Sequence, residues 1–126
     1  MNLPSDPLTP IYVQVANWLM DQIISGALAP DERIYSQYQL AELFNINPAT
    51  AAKGLNLLAD DGLVYKRRGL GMFVAADAQA RLLEKRRTIT VQRLVEQLAA
   101  EARRLAMPEE ELMALLHQAL QKEVSP

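Results

Sequence analysis

Three adjacent cations, Lys66, Arg67 and Arg68, lie at the centre of the stretch LVYKRRGLGMFV, residues 63–74. Gly69 and Gly71 follow them, and apolar residues flank the group. This combination suits phosphate, because Lys and Arg neutralise its charge while glycine lets a backbone approach it closely. The chain as a whole is acidic, with a net charge of −2, so a contact with nucleic acid would have to be local.

Residues that could support catalysis or bind a metal do not form a recognisable set. The chain has no cysteine and one histidine, His117. A lone histidine lacks the further ligands that zinc requires. Asp60 and Asp61 are adjacent, so they point in different directions on a helix and make a poor general acid–base pair. We therefore expect a protein that is not an enzyme and that needs neither a metal nor a cofactor.

The composition is that of an ordinary globular protein. Of the 126 residues, 50% are hydrophobic and 22% are charged, which suits one domain with an appendage. The N-terminal stretch MNLPSDPLTP lacks the basic and apolar regions of a signal peptide, and no apolar run is long enough to span a membrane. The lack of cysteine fits a reducing compartment. We expect a cytoplasmic protein with no membrane partner.

Helical periodicity and capping signals predict a first helix near residues 10–25. Thr9-Pro10 offers a capping hydroxyl followed by proline at the first helical position, and Gly26 is a suitable stop. The positions that recur at helical spacing, and that should form its inner face, are Ile11, Val15, Trp18 or Leu19, Gln22 and Ile23.

Two further helices and a hairpin follow. Ser36 is a natural N-cap and predicts a short helix over about 37–44. Asn47-Pro48 predicts the start of a third helix over about 48–61, with Gly62 as its C-cap. Short apolar strands on both sides of Gly69-Leu70-Gly71 predict a β-hairpin. The fold class is therefore mainly α with a small β-hairpin: a winged helix-turn-helix over 1–76, followed by a helical tail over 77–126.

The tail is predicted to contain two helices that pair two copies of the chain. An apolar stripe extends from residue 91 to 105, Met107-Pro108 interrupts it, and three glutamates open the last helix. These helices could pack within one chain, but a complete winged domain leaves them little to pack on, which favours a homodimer. The predicted dimerisation residues are Val91, Leu94, Val95, Leu98, Leu105, Leu112, Leu116 and Leu120.

The order of helices and hairpin predicts a surface for double-stranded DNA. Small residues at the head of the third helix would let it lie deep in a major groove, and the start of the second helix would cross the backbone. The basic hairpin would follow the flanking phosphates. The predicted DNA-binding residues are Ser36, Gln37, Tyr38, Asn47, Ala49, Thr50, Lys53, Lys66, Arg67, Arg68, Gly69 and Gly71.

The stretch from Pro10 to Val74 resembles the DNA-binding domain of the GntR family of bacterial transcription regulators. The matching blocks are PIYVQVANWLMDQIISGAL, SQYQLAELFNINPATAAKGLNLLADDGLV and KRRGLGMFV. The Asn47-Pro48 start and the short tail resemble the YtrA-type branch. The resemblance implies a homodimer, paired through its C-terminal helices, that binds a roughly palindromic operator. It also supports Ser36, Thr50, Lys53 and Gly71 as positions that contact or closely approach DNA.

The chain departs from the family pattern in places. Tyr38 stands where the family commonly has an arginine, and Leu70 stands at a wing position that is often polar or basic. These departures suggest modest affinity per half-site or an altered operator. We expect a repressor that blocks polymerase, and the short branch often controls transporter operons. A small-molecule effector, if there is one, is unidentified and would lie between the helical tail and the winged domain or at the dimer seam. The alternative is a winged protein-interaction module without specific DNA binding.

Overall fold

The computed structural model describes residues 2–3 and 6–122 of the chain. Two compact units divide after Glu84. The first unit contains three helices, a two-stranded hairpin and a fourth helix, and the second contains a π-helical turn and two helices. The elements in chain order are α1 (Ile11–Ser25), α2 (Gln37–Phe44), α3 (Pro48–Asp60), β1 (Val64–Arg67), β2 (Gly71–Val74), α4 (Ala78–Lys85), a π-helical turn (Arg86–Thr90), α5 (Val91–Arg104) and α6 (Glu109–Gln121).

The core of the first unit lies where α1, α2 and α3 meet the hairpin. Leu19, Leu40 and Leu58 contribute fully buried side chains from the three helices, and Val74 contributes one from β2. Burial of such side chains stabilises the unit by roughly 1.5–3 kcal/mol each. The remaining members of this cluster are Val15, Ala16, Ile23, Leu28, Ile34, Phe44, Ala51, Leu55, Leu63, Val64, Ala78 and Leu82.

Helix α1 lies close against α3 at Gly54, which is buried. A Cβ at this position would lie 2.9 Å from the backbone oxygen of Tyr12 and 3.0 Å from Cγ1 of Val15. Only glycine therefore fits here without moving the two helices apart. The contact sets the depth at which α3 lies on the core, and hence how its outer face is presented.

Most predicted helix ends agree with the structure. Ser36 forms a capping box with Gln39, Asn47 caps the N–H of Ala49, and Gly26 ends α1 in the left-handed conformation. The predicted start of α1 is wrong in detail. Pro10 is the N-cap rather than the first helical residue, and no side chain caps this helix. The Thr9 hydroxyl donates to the Asp6 carboxylate instead.

Two further sequence predictions need correction, and one open alternative is resolved. Ile11, assigned to the inner face of α1, is 45% exposed. Of the two alternatives for the middle of α1, Leu19 is fully buried, while Trp18 packs partly buried at its edge against Phe44, with ring centroids 5.0 Å apart. Helix α3 ends at Asp60 with Asp61 as C-cap, and Gly62 follows with φ +71°.

The hairpin, which we call the wing (residues 64–74), is part of a slightly larger sheet. Val64 pairs with Val74 and Arg67 pairs with Gly71 in an antiparallel register. The segment 31–34, between α1 and α2, pairs with the outer edge of β2 through an antiparallel bridge from Arg33 to Phe73. Its hydrogen bonds are Ile34 N–H to Met72 O, Asp31 N–H to Val74 O and Val74 N–H to Glu32 O, all 2.8–2.9 Å.

Helix α4 packs with the first unit, because Ala78 and Leu82 belong to its core. The compact first unit therefore extends to Glu84. The assignment of DNA binding to 1–76 and of dimerisation to 77–126 is a functional division, and it stays a prediction.

The second unit has a continuous exposed apolar stripe on α5, and α6 exposes further apolar side chains. Among residues 85–122, the predicted dimerisation residue Leu112 is half-buried. The other seven are exposed: Val91, Leu94, Val95, Leu98, Leu105, Leu116 and Leu120. Within the described ranges, no helix is long and apolar enough to cross a membrane.

Candidate nucleic-acid interface

The outer face of α3 presents small and polar side chains. Ala49, Lys53 and Asn56 are exposed at positions i, i+4 and i+7, which share one face of a helix. Thr50 is half-buried beside them. Asn47 uses its side-chain oxygen to cap Ala49 N–H at 2.8 Å, which leaves the amide NH₂ of this exposed residue to donate to an external acceptor. Small side chains at the head of this face suit a helix that lies in a major groove.

The start of α2 offers polar groups that face solvent. Ser36 Oγ accepts from Gln39 N–H at 3.1 Å, and its own hydroxyl hydrogen is left to donate to an acceptor. Tyr38 is 69% exposed, so its hydroxyl is accessible. Gln37, half-buried, lies between them. These are the groups that a helix-turn-helix directs at backbone phosphates.

The wing holds its cations on different faces. Strand alternation places Lys66 with Met72 on the face that carries buried Val64 and Val74. Arg67 lies on the opposite face, with its guanidinium carbon 5.2 Å from the centre of the Phe73 ring. Arg68 begins the turn, and Gly69 and Gly71 have φ of +79° and +111°. The turn therefore requires glycines, and the three cations do not act as one patch.

An aromatic stack fixes the face that carries Arg67. Phe73 stacks on Tyr65 with centroids 5.9 Å apart, and the Tyr65 hydroxyl donates to Asp31 Oδ1 at 2.8 Å. This hydrogen bond to a carboxylate raises the pKa of Tyr65 above its ordinary value of 10.0. The stack and the cation–π contact restrict the motion of Arg67 before any ligand arrives.

A cleft of about 230 Å³ lies between α2, α3 and the wing. It is lined by the start of α2 through Ser36, Gln37 and Tyr38, and by the wing through Lys66 and Gly71. The structure thus brings these five predicted residues together. The cleft does not include the other predicted residues, which lie on α3 and the wing outside it: Asn47, Ala49, Thr50, Lys53, Arg67, Arg68 and Gly69.

Sequence reasoning missed several residues of this cleft, among them Asn56 and Arg33. Asn56 lies seven residues after Ala49, a spacing that places both residues on one face of a helix. The sequence therefore contained a signal for Asn56. Arg33 had no such signal. It follows two acidic residues in a turn, and its place beside the wing depends on a β-bridge to Phe73, far along the chain.

The described residues hold no group of three or more side chains that could bind a metal. His117 is exposed on α6.

The sequence of this unit matches one protein-family model. Residues 11–74 match the model of the bacterial regulatory proteins of the gntR family. This match spans α1 to the end of the wing, which is about half of the chain. The chain therefore belongs to the gntR family of bacterial regulatory proteins, and the resemblance inferred from the sequence is confirmed.

Two curated relatives, both from Bacillus subtilis, share the region. The HTH-type transcriptional repressor NagR is 34% identical over 84 residues, which cover 67% of this chain and 35% of NagR. The HTH-type transcriptional repressor YtrA is 28% identical over 86 residues, which cover 68% of this chain and 66% of YtrA. The chain thus spans about a third of NagR and just under two thirds of YtrA.

Solved structures extend the likeness. A GntR family transcriptional regulator from Listeria monocytogenes superposes with a TM-score of 0.74 at 24% identity, covering 90% of this chain and 98% of that one, which establishes the fold over nearly the full length. The DNA-binding domain of AraR in complex with operator ORX1 superposes with a TM-score of 0.54 at 32% identity, covering 60% of this chain and 95% of that one. The predicted winged helix-turn-helix with a helical C-terminal part is confirmed.

Proposed function

We propose that this gntR-family chain is a sequence-specific DNA-binding transcription regulator of the bacterial cytoplasm, acting as a homodimeric repressor on a palindromic operator. The observation that carries the proposal is the outer face of α3, with its small head residues and Lys53, flanked by a wing whose cations reach solvent. Shape and charge at this face match a major groove bordered by phosphates.

Each element has a distinct role in the proposed complex. Helix α3 enters the major groove with Ala49 and Thr50 leading, and Lys53 meets a flanking phosphate. The hydroxyls of Ser36 and Tyr38 donate to the backbone where α2 crosses it. The wing turn, with Arg68 and Gly69, lies along the adjacent phosphates. Backbone contacts set the register, and α3 reads the base edges.

The exposed apolar stripe on α5 supports a homodimer. Leu94 is 52% exposed and Leu98 is 43% exposed in the single chain, and an apolar surface of this extent usually marks an interface. A two-fold dimer would present two copies of α3 to successive major grooves, so its operator would be an inverted repeat. Occupation of that site would block polymerase.

The direction of regulation is supported by the relatives. NagR and YtrA are both named transcriptional repressors, and a related DNA-binding domain, that of AraR, was crystallised with an operator. Repression is therefore the direction that we propose for this chain. A transporter operon is the target that the short-branch resemblance favours.

Selection of bound fragments from random and genomic DNA tests the proposal. The purified chain is equilibrated at fixed moderate salt, and the recovered sites are sequenced. We expect an inverted repeat with half-sites about one helical turn apart. Genomic fragments would also reveal the regulated genes. Recovery of no sequence above background, together with binding that is insensitive to salt, would instead favour a protein-interaction module.

A further inference from the structure

We propose that Arg33, outside both α3 and the hairpin, is a further phosphate-contacting residue of the DNA-binding surface. This inference rests on the proposed function. Arg33 bridges Phe73 on the outer edge of β2, so the two side chains share one face of the small sheet. Gly71, two residues before Phe73 on the same strand, belongs to that face as well.

The absence of a side chain at Gly71 makes room for the arginine. A Cβ built at Gly71 would lie 3.0 Å from Nε of Arg33 and 3.4 Å from one of its terminal nitrogens. The guanidinium therefore lies directly over the glycine at the end of the wing turn. Backbone hydrogen bonds on both sides of Arg33, at Asp31 and Ile34, hold its strand segment in register.

The charge of Arg33 is available despite two acidic neighbours. Glu32 accepts a hydrogen bond from Ala29 N–H at 2.8 Å, and Asp31 accepts one from Tyr65 at 2.8 Å. Arg33 itself is exposed, and its side chain has no hydrogen-bond or ion-pair partner among the residues that the structure describes. Both nearby carboxylates are thus engaged elsewhere, and the guanidinium can pair with an external anion.

Arg33 lies between the start of α2 and the wing, the two elements that the proposed function directs at phosphates. Ser36 at the start of α2 follows three residues later, about 10 Å along an extended chain. Lys66 lines the same cleft as Arg33 and Ser36. A strand of DNA that passes from the start of α2 to the wing would cross this cleft. Arg33 is placed to bind a phosphate there. Its planar guanidinium can donate two parallel hydrogen bonds to two oxygens of one phosphate.

Salt-dependent binding of Arg33→Ala tests the inference. One lost phosphate contact lowers the slope of log K against log salt by about 0.9, which corresponds to about a 5-fold loss of affinity per half-site near 0.15 M salt. The loss should be similar on specific and non-specific DNA. Arg33→Lys keeps the charge and should retain most of the slope. Arg93→Ala removes an exposed cation from α5 and serves as the charge-matched control.

Ethylation of individual phosphates supplies an independent readout. In each half-site, ethylation of one particular phosphate should weaken binding of the wild type. Ethylation of that same phosphate should not change binding of Arg33→Ala. If the wild type shows a steep dependence of DNA affinity on salt and Arg33→Ala has the same slope, affinity and ethylation-interference pattern, the role of Arg33 is overturned. The proposed function then still stands. A wild type that binds no DNA would overturn the proposed function and this inference together. Thermal melting of each variant verifies that it is folded.

Discussion

The contact between α1 and α3 at Gly54 predicts that a single added methyl group will separate the two helices. A Cβ would meet the backbone oxygen of Tyr12 at 2.9 Å, whereas ordinary contacts begin at 3.4 Å. The helices must therefore move apart by about 0.5 Å, because a helix backbone atom cannot rotate away as a side chain can. Gly54→Ala thus tests whether this glycine determines the position of α3.

Two opposing effects set the magnitude. Alanine favours a helix over glycine by about 1 kcal/mol. Overpacking costs about 1–3 kcal/mol, and the upper end applies because the nearest atom belongs to a backbone. We expect Gly54→Ala to lower the free energy of unfolding by about 2 kcal/mol, a shift of about 1 M in the urea midpoint. Asn56→Ala, on the exposed face of α3, should change stability by only a few tenths of a kcal/mol.

A double-mutant cycle assigns the cost to the helix contact. Val15 Cγ1 lies 3.0 Å from the added methyl group, and Val15→Ala removes that atom. Gly54→Ala should therefore be less destabilising in the Val15→Ala background, with a coupling of at least about 0.5 kcal/mol. Urea denaturation followed by circular dichroism measures all four proteins. A Gly54→Ala chain that is more stable than wild type, with additive effects in the cycle, would refute the close approach.

Three further predictions concern the cap of α2, the tail and the wing. Ser36→Ala should cost about 1 kcal/mol in thermal unfolding and also weaken DNA binding, whereas Ser36→Thr should keep the cap. Leu94→Lys should sediment as a monomer, whereas Gln97→Lys, which lies off the apolar stripe, should sediment as a dimer. The same sedimentation coefficient for both variants would argue against an interface on α5. The hydrogen bond to Asp31 raises the pKa of Tyr65 in the folded protein above 10.0. The contribution of this hydrogen bond to the free energy of unfolding is therefore present below pH 10.0 and is lost as the pH rises through the pKa of Tyr65 in the folded protein. Urea midpoints of wild type and Tyr65→Phe should differ at pH 8 and converge above that pKa.

Local signals predicted the elements of the first unit well. Ser36, Asn47 and Gly26 act through hydrogen bonds and backbone angles within a few residues, so their effect can be read directly from the sequence. Thr9 does not cap α1 because Pro10 occupies the N-cap position and Thr9 lies one residue before it; the Thr9 hydroxyl donates to the Asp6 carboxylate. A capping prediction therefore depends on which residue occupies the N-cap position.

Contacts between distant segments were beyond prediction. The pattern of cations identified the wing but not the face on which each cation lies, because that depends on the register with β2. Arg33 was missed for the same reason, since only the bridge to Phe73 brings it to the wing. The cleft between α2 and the wing is likewise a product of tertiary packing.

The distribution of charge supports the proposal that this acidic chain binds DNA. Residues 1–84 contain six cations and nine acidic residues. Arg81 is engaged at the end of α3, where it donates to the carbonyl oxygens of Asp61 and Gly62. The other five cations lie on α3, on the wing or on the strand segment beside it, as the positions of Lys53 and Arg33 illustrate.

The acidic residues near this surface are engaged by internal donors. Asp31 accepts from Tyr65 and Glu32 accepts from Ala29 N–H, so each of these exposed carboxylates already has one donor within the fold. Because salt screens exposed charges over about 8–10 Å, a phosphate at the wing would sense this local excess of cations more than the net charge of the chain. Local placement, rather than overall composition, would let the proposed regulator attract a polyanion despite its net charge of −2.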